Sequence, residues 1–294
     1  MNIIPYVGGK TFLLKHLLPL IPPHEIYVEV FGGGAALLLN KAPSKYEVYN
    51  DVDGELVNLF LTLRDDSERF RSRLEGIPYS REIFHRWSRE FKTGNSLPED
   101  NVERAVRFYY VISSSVSGKF GQGWSFGRSG RMWRRQTMLS RPFEEIHNRL
   151  LNVTIDHLDF RKCIVNWDSD ETFFFLDPPY YGVKGRMYRF GFSESDHEDL
   201  AEILRATRGK WLLTYGDHPH IRRLYRGYLM RKVGSYAYAE RMSRREGLRR
   251  RGIVKHLLIM NYKPPTAIGK TPLKGFKPVM LFDFDLKIAA EDID

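Results

Sequence analysis

The sequence predicts an α/β fold built on a parallel sheet and split by an inserted, mostly helical segment. Three observations predict it. Residues 26–63 read as strand, glycine turn, helix, strand, acid and helix, the pattern of a βαβ unit. Residues after 152 return to alternating strand-like and helix-like runs. Between them, residues 64–152 are helical in texture and carry a basic, aromatic stretch. The chain therefore divides into 1–63 with 153–294 as one unit and 64–152 as the insertion.

Each element has a local reason. Ile26–Phe31 (IYVEVF) is a β-prone run ending in Gly32-Gly33-Gly34. Ala35–Leu39 (AALLL) reads as a helix start, and Tyr46–Asn50 (YEVYN) as a second strand closed by Asp51. Leu56–Leu63 is helical, and so is most of 64–112, with a polar break at Thr93–Asp100. Residues 117–135 are rich in glycine, aromatics and arginine, and read as a loop or β-hairpin; Arg141–Leu151 is a further helix. Val153–His157, Thr172–Leu176, Trp211–Tyr215 and His256–Tyr262 read as strands, with helices at Asp196–Thr207 and Pro219–Leu224.

Composition excludes several classes. No apolar run approaches the roughly 20 residues of a membrane span, and no secretory signal pattern opens the chain. The single cysteine, Cys163, excludes an internal disulfide or cysteine-based zinc site and points to a reducing, cytoplasmic compartment. His218 and His220, flanking Pro219, read as surface loop rather than a metal pair. The net charge of +10 is local: residues 221–294 hold 17 basic and 7 acidic groups. Ser117–Arg141 holds six basic residues and no acid, interleaved with Phe120, Trp124, Phe126 and Trp133; Arg241–Lys255 holds seven against one. Such patches fit a polyanion.

Three motifs carry chemistry. A strand running into Gly32-Gly33-Gly34 brings backbone close to a ligand, and an acid ending the next strand, Asp51, suits ribose hydroxyls; together they suggest an adenosine-containing ligand. The glycines form neither GxGxxG nor a phosphate-binding P-loop. Asp177-Pro178-Pro179-Tyr180 follows a buried-looking strand, where open α/β sheets bind ligands. The prolines leave carbonyl acceptors without N–H donors, Asp177 adds a carboxylate and Tyr180 a flat face, a set suited to a planar amine. Near the start, Pro5-Tyr6-Val7-Gly8-Gly9-Lys10 offers flexible backbone and a cation.

In this order, PYVGGK, EVFGGG, ND, a basic insertion and DPPY, the chain resembles the Dam-like (alpha-class) DNA N6-adenine methyltransferases over nearly its whole length. Further matches are Asp156–Phe160 (DHLDF), Leu213–Asp217 (LTYGD) and Leu257–Tyr262 (LLIMNY). Two departures stand out. Val30 replaces the proline that precedes the family's glycine loop, which is one residue tighter here, and Gly216 stands where asparagine is frequent.

The resemblance implies a Rossmann-like catalytic sheet using S-adenosyl-L-methionine, released as S-adenosyl-L-homocysteine, with no metal, and an inserted target-recognition domain. It places Tyr6, Gly8, Gly9 and Lys10 at the methionine end of the cofactor, and Glu29, Phe31, Gly32, Gly33 and Gly34 in the loop floor. Asp51 falls on the ribose, Asp159 and Phe160 on the cofactor's adenine. Asp177, Pro178, Pro179 and Tyr180 fall on the target base, with Asp177 also bordering the cofactor. Double-stranded DNA is the implied partner, met by Lys119, Trp124, Arg128, Arg131, Arg134, Arg135, Arg244, Arg245 and Arg249. A cognate restriction endonuclease, a monomer or weak dimer and a nucleoid location complete the expectation. The alternatives are cytosine N4 or an RNA base as target, or a catalytically silent DNA-binding relative.

Overall fold

The computed structural model describes residues 1–5, 10–118, 120–125, 134–182, 189–236 and 253–265. Seven strands form one sheet: β1 Ile26–Glu29, β2 Tyr46–Asn50, β3 Val153–Asp156, β4 Thr172–Leu176, β5 Lys210–Gly216, β6 Leu229–Tyr236 and β7 Ile253–Met260. Their order is β3-β2-β1-β4-β5-β7-β6. The first five run parallel, and β7 is antiparallel to both β5 and β6. Helices are α1 Leu14–Leu17, α2 Gly54–Asp65, α3 Ser67–Glu75, α4 Arg81–Thr93, α5 Asn101–Ser114, α6 Arg134–Leu139, α7 Phe143–Leu150, α8 Phe160–Trp167, α9 Glu194–Ala206 and α10 Pro219–Leu224.

A parallel strand is covered on both faces and so reads as an unbroken apolar run. Thr172–Leu176 (TFFFL) is buried throughout, and its side chains alternate between two cores. Tyr27, Tyr49, Phe173 and Phe175 enter one core with α1–α7, while Val28, Val48, Phe174 and Leu176 enter the other with α8, α9 and α10. Helices α3, α4, α5 and α7 of the insertion thus share a core with one face of the sheet.

Local chemistry sets the helix ends. Ser80 and Asp100 accept the N–H groups of Ile83 and Glu103, starting α4 and α5, and Gly94 ends α4 in the left-handed region at φ 72°. The polar break at 93–100 is therefore a stop and a start. Residues 115–124 fold back as a short hairpin, with Ser115 bridged to Trp124.

Five elements differ from the sequence reading, two of them being α1, which was not expected, and α6, which starts inside the stretch read as loop or hairpin. Ala35–Leu39 forms irregular turns rather than a regular helix, because Gly33 and Ala35 both take positive φ, at 49° and 52°. The short helix α8 was not expected; Asp159 nucleates it by accepting the Arg161 N–H at 2.9 Å. Strand β6 was missed as well. Its sequence, LMRKVGSY, mixes charge into an edge strand, as exposed edges do, and so shows little apolar pattern.

One buried ionic cluster ties the insertion to the sheet. Glu47 of β2 accepts from Lys41 Nζ at 2.5 Å and from both terminal nitrogens of Arg149 on α7, and Arg149 also donates to the Leu38 carbonyl at 2.8 Å. These partners hold the Glu47 carboxyl below its ordinary range despite its burial. Arg149→Ala leaves Glu47 half-compensated in a dry site. The expected outcome is a loss of about 3 kcal/mol in urea unfolding, with secondary structure at low urea unchanged.

Candidate active site

The sheet order reverses at β1, which has β2 on one side and β4 on the other. Open α/β sheets bind ligands in the crevice outside the carboxyl ends of strands at such a switch point. A cleft of about 270 Å³ lies here.

The floor of the cleft is the turn after β1. The Gly32 N–H donates to the Asn50 carbonyl at 2.7 Å, pulling the turn onto β2. A Cβ on Gly32 would stand 2.2 Å from the Tyr49 ring, so the position requires glycine. The Tyr49 hydroxyl donates to the Gly33 carbonyl at 2.9 Å, and the Gly33 N–H donates to Asp51 at 2.7 Å. Asp51 also accepts the Asp53 N–H at 2.8 Å. Burial pushes its carboxyl up to about 6, against the pull of those two donors. Glu29, ending β1, accepts from the Tyr27 hydroxyl and the Leu38 N–H, both at 2.8 Å. Burial, with the Asp177 charge adding to it, pushes Glu29 up to about 7.

The walls are aromatic and acidic. Phe31, Phe160 and Phe192 meet pairwise with ring centroids 5.4–5.7 Å apart. Asp159 pairs with Arg161, whose guanidinium lies over the Phe160 ring. Of the residues singled out in the sequence, Glu29, Phe31, Gly32, Gly33, Gly34, Asp51, Asp159, Phe160, Asp177 and Pro179 all line this one cleft. Pro178 is buried beside it. Tyr180 stands against Gly216 of β5, and a Cβ there would meet its ring at 3.2 Å. The Tyr180 hydroxyl is 2.8 Å from Nδ1 of His256.

Asp177 and Tyr180 are held from β5 and β7. The Thr214 hydroxyl donates to Asp177 Oδ1 at 2.5 Å. Burial and the Asp177 charge raise the Tyr180 phenol well above its ordinary value, partly offset by the Thr214 hydroxyl. Tyr180 therefore stays protonated.

Sequence reasoning missed several contributors. Arg189 donates to Asp53 Oδ1 at 2.7 Å across the cleft, and its guanidinium lies 5.0 Å from the Phe120 ring and 5.4 Å from the Phe108 ring. One side chain thus joins the cleft to α5 and the basic hairpin. The spacing of Asp51 and Asp53 in NDVD was a usable signal for Asp53; Arg189 had none. Thr214 lay inside a matched segment but without a motif of its own, and His256 lay just before one, in a run read only as strand.

On the insertion, half-buried Trp124 packs 5.3 Å from Tyr79, and the Arg81 guanidinium lies 5.0 Å over its ring. Arg135 donates to the carbonyls of Glu75 at 2.7 Å and Ile77 at 3.4 Å, closing the end of α3. Tyr6, Gly8, Gly9, Lys119, Arg128, Arg131, Arg244, Arg245 and Arg249 lie outside the described residues, as do the side chains of Lys10 and Arg134. His220 is not a loop residue but lies in α10, while His218 ends the loop before it as the N-cap, and the two rings pack on Tyr181 at 4.4 Å and 4.8 Å. Among the described residues, no group of three His, Cys, Asp or Glu side chains could hold a metal ion.

Known proteins resemble this chain in sequence. A family model described as D12 class N6 adenine-specific DNA methyltransferase matches residues 6–239. The type II methyltransferase M.CviBI of Paramecium bursaria Chlorella virus NC1A is 28% identical over 232 residues, 77% of this chain and 87% of that protein. The type II methyltransferase M.MjaIII of Methanocaldococcus jannaschii is 25% identical over 294 residues, 89% of this chain and 100% of that protein. The retron Ec67 DNA adenine methylase of Escherichia coli is 24% identical over 239 residues, 77% of this chain and 81% of that protein.

The raised carboxyls of Glu29 and Asp51 bind protons more tightly in the folded protein than in the unfolded chain. Their contribution to stability is complete below the ordinary carboxyl range and is lost as pH rises through about 6 and about 7. Glu29→Gln removes one titration while keeping an oxygen for Tyr27 and Leu38. The expected outcome is a shallower decline in urea stability between about pH 5 and about pH 7.5, read at fixed ionic strength.

Proposed function

The chain belongs to the D12 class N6 adenine-specific DNA methyltransferase family, and from that premise we propose how its residues divide the work. It transfers a methyl group from S-adenosyl-L-methionine to the exocyclic amine of adenine in DNA. The cofactor supplies an electrophilic sulfonium methyl.

The residues present fit such a cofactor. The Gly32–Gly34 turn lines the cleft, and Gly32 carries no side chain because the Tyr49 ring fills that position. Asp51 faces the ribose hydroxyls, with its neighbour Asp53 held by Arg189. Phe31, Phe160 and Phe192 form an apolar wall for a planar ring, with Asp159 at its edge. Glu29, raised to about 7 by burial, carries only part of a negative charge beneath the turn near neutral pH.

The observation that carries the reading is Asp177 at the carboxyl end of β4, on the rim of this cleft and fixed in rotation by Thr214. Adenine N6 is a weak nucleophile because its lone pair is delocalised into the ring. The Asp177 carboxylate and the Pro178 carbonyl accept its two hydrogens, favouring a pyramidal nitrogen with an available lone pair. Asp177 need not remove a proton first, since N6 becomes acidic only as its new bond forms. The amine is inaccessible inside a stacked duplex, so the base flips out and Tyr180 replaces its lost stacking.

Residues 64–152 serve as the target-recognition segment, with the hairpin at 115–124 and the basic residues that follow it meeting phosphates and base edges. Arg244, Arg245 and Arg249 form a second DNA-facing set. Arg135, engaged on the end of α3, acts mainly by placing α6. A monomer or weak dimer, acting on cytoplasmic, nucleoid-borne DNA beside a cognate restriction endonuclease, completes the reading.

The test is expression in a bacterium lacking adenine methylation, followed by sequencing with base-modification detection. N6-methyladenine confined to one short motif is the expected result. Methyladenine without a motif would make the insertion a general DNA clamp. No modified base, from a protein that still binds the cofactor, would overturn the DNA assignment. Asp177→Ala is expected to lower turnover by about 10³-fold while leaving cofactor affinity within about threefold. DNA affinity is expected to fall steeply with salt, roughly as the power of the number of phosphates neutralised.

A further inference from the structure

Tyr180 is held from two sides by residues that no part of the catalytic motif supplies. Its ring lies on Gly216, where a Cβ would approach Cδ2 to 3.2 Å. Gly216 pairs in register with His256 across the antiparallel β5–β7 ladder. The imidazole stands edge-on to the phenol ring, at 5.8 Å and 70°, with Nδ1 2.8 Å from the hydroxyl. His256 is 8% exposed, so this contact is shielded from water. A phenol that keeps its proton needs an acceptor when half-buried, and Nδ1 provides one when the imidazole proton sits on Nε2. Tyr215 flanks the same ring at 6.0 Å.

These contacts, with the Thr214 hydroxyl also reaching the phenol, leave the tyrosine ring little freedom. The glycine contact sets how closely the ring lies on the sheet, and the hydroxyl bond sets its tilt. We propose that His256 is a positioning residue for methyl transfer, fixing through its bond to the Tyr180 hydroxyl the plane on which the flipped adenine stacks. The role rests on the reading that Tyr180 stacks on the target base. His256 touches neither base nor cofactor and acts only through Tyr180. The general consequence is that the stacking plate belongs to the β5–β7 edge as much as to the turn after β4. A strand outside the turn that carries the catalytic residues then contributes to the geometry of the reaction.

The test uses the full-length enzyme with two duplexes of its methylated motif: one with adenine at the target position, for turnover, and one with 2-aminopurine there, for fluorescence only, since that base lacks the N6 amine. Turnover, cofactor affinity and 2-aminopurine fluorescence are measured for His256→Ala, His256→Asn, Tyr180→Phe, Tyr180→Ala and the double variant Tyr180→Phe/His256→Ala. His256→Ala and Tyr180→Phe each break the same bond and are expected to lower turnover by about tenfold, with cofactor affinity unchanged and the fluorescence of the flipped base altered. The double variant is expected to be no worse than Tyr180→Phe alone, because that variant has already lost the bond to His256 along with the contact to the Thr214 hydroxyl. Asparagine places an acceptor oxygen near the position of Nδ1, so His256→Asn is expected to recover most of the lost turnover.

Additive losses in the double variant would overturn the proposal, as would a His256→Asn enzyme as slow as the alanine variant, since either marks His256 as core packing. If Tyr180→Ala abolishes turnover while Tyr180→Phe and His256→Ala are both normal, the stacking reading survives and the role of His256 falls. If Tyr180→Ala leaves turnover and fluorescence intact, the stacking reading itself fails and takes the proposal with it.

Discussion

The contact on which the site depends is the Tyr49 ring lying where a side chain on Gly32 would have to be. It lets the chain leaving β1 fold down onto β2 instead of continuing as a strand. Everything near the cofactor follows from that bend. The Gly33 N–H reaches Asp51, the Tyr49 hydroxyl reaches the Gly33 carbonyl, and the walls of the cleft stand apart because the turn between them is flat. A side chain at this point would separate β1 from β2 at their carboxyl ends and move Glu29 and Asp51 together. Tyr49 is also stacked on Phe60 of α2, at 4.3 Å, so the turn is anchored through the ring to the helical layer.

Charge is concentrated at the same end of the sheet. Glu29, Asp51, Asp53 and Asp177 converge on one cleft, and burial raises the carboxyls of Glu29, Asp51 and Asp53. Two kinds of response are visible. Glu29 and Asp51 hold their protons more tightly, and Asp53 takes Arg189 as a counter-ion. Asp177 accepts the hydroxyl of Thr214, which orients its carboxylate.

Much of this was legible in the sequence. Thr172–Leu176 announced a central parallel strand because it is apolar on both faces, and the acids ending β2 and β4 marked the ligand edge. The helix expected at Ala35–Leu39 failed because helical composition says nothing about the positive φ at Gly33 and Ala35, imposed by packing on β2. Strand β6 was hidden because an edge strand can be charged. The residues that orient the site, such as Arg189, Thr214 and His256, act over long separations in sequence. Tyr180 and His256 are 76 residues apart, and no local pattern records that they meet. Arg135 shows the converse, since its composition suggested DNA and its geometry a helix end.

The shared core has a consequence for how the chain acquires its structure. Strands β2 and β3 are neighbours in the sheet, yet the whole of 64–152 lies between them, and β1 must wait for β4 beyond that. Contacts of such separation close large loops and are slow to form. Helices α3, α4, α5 and α7 cover the very face that these strands present, so the insertion shields the half-built sheet while its later strands are still missing. During synthesis the segment is then a scaffold for the catalytic half as well as its neighbour. Exchange of the whole insertion for that of a relative would remove part of the core, whereas exchange confined to the hairpin at 115–124 would leave the route to the native sheet intact.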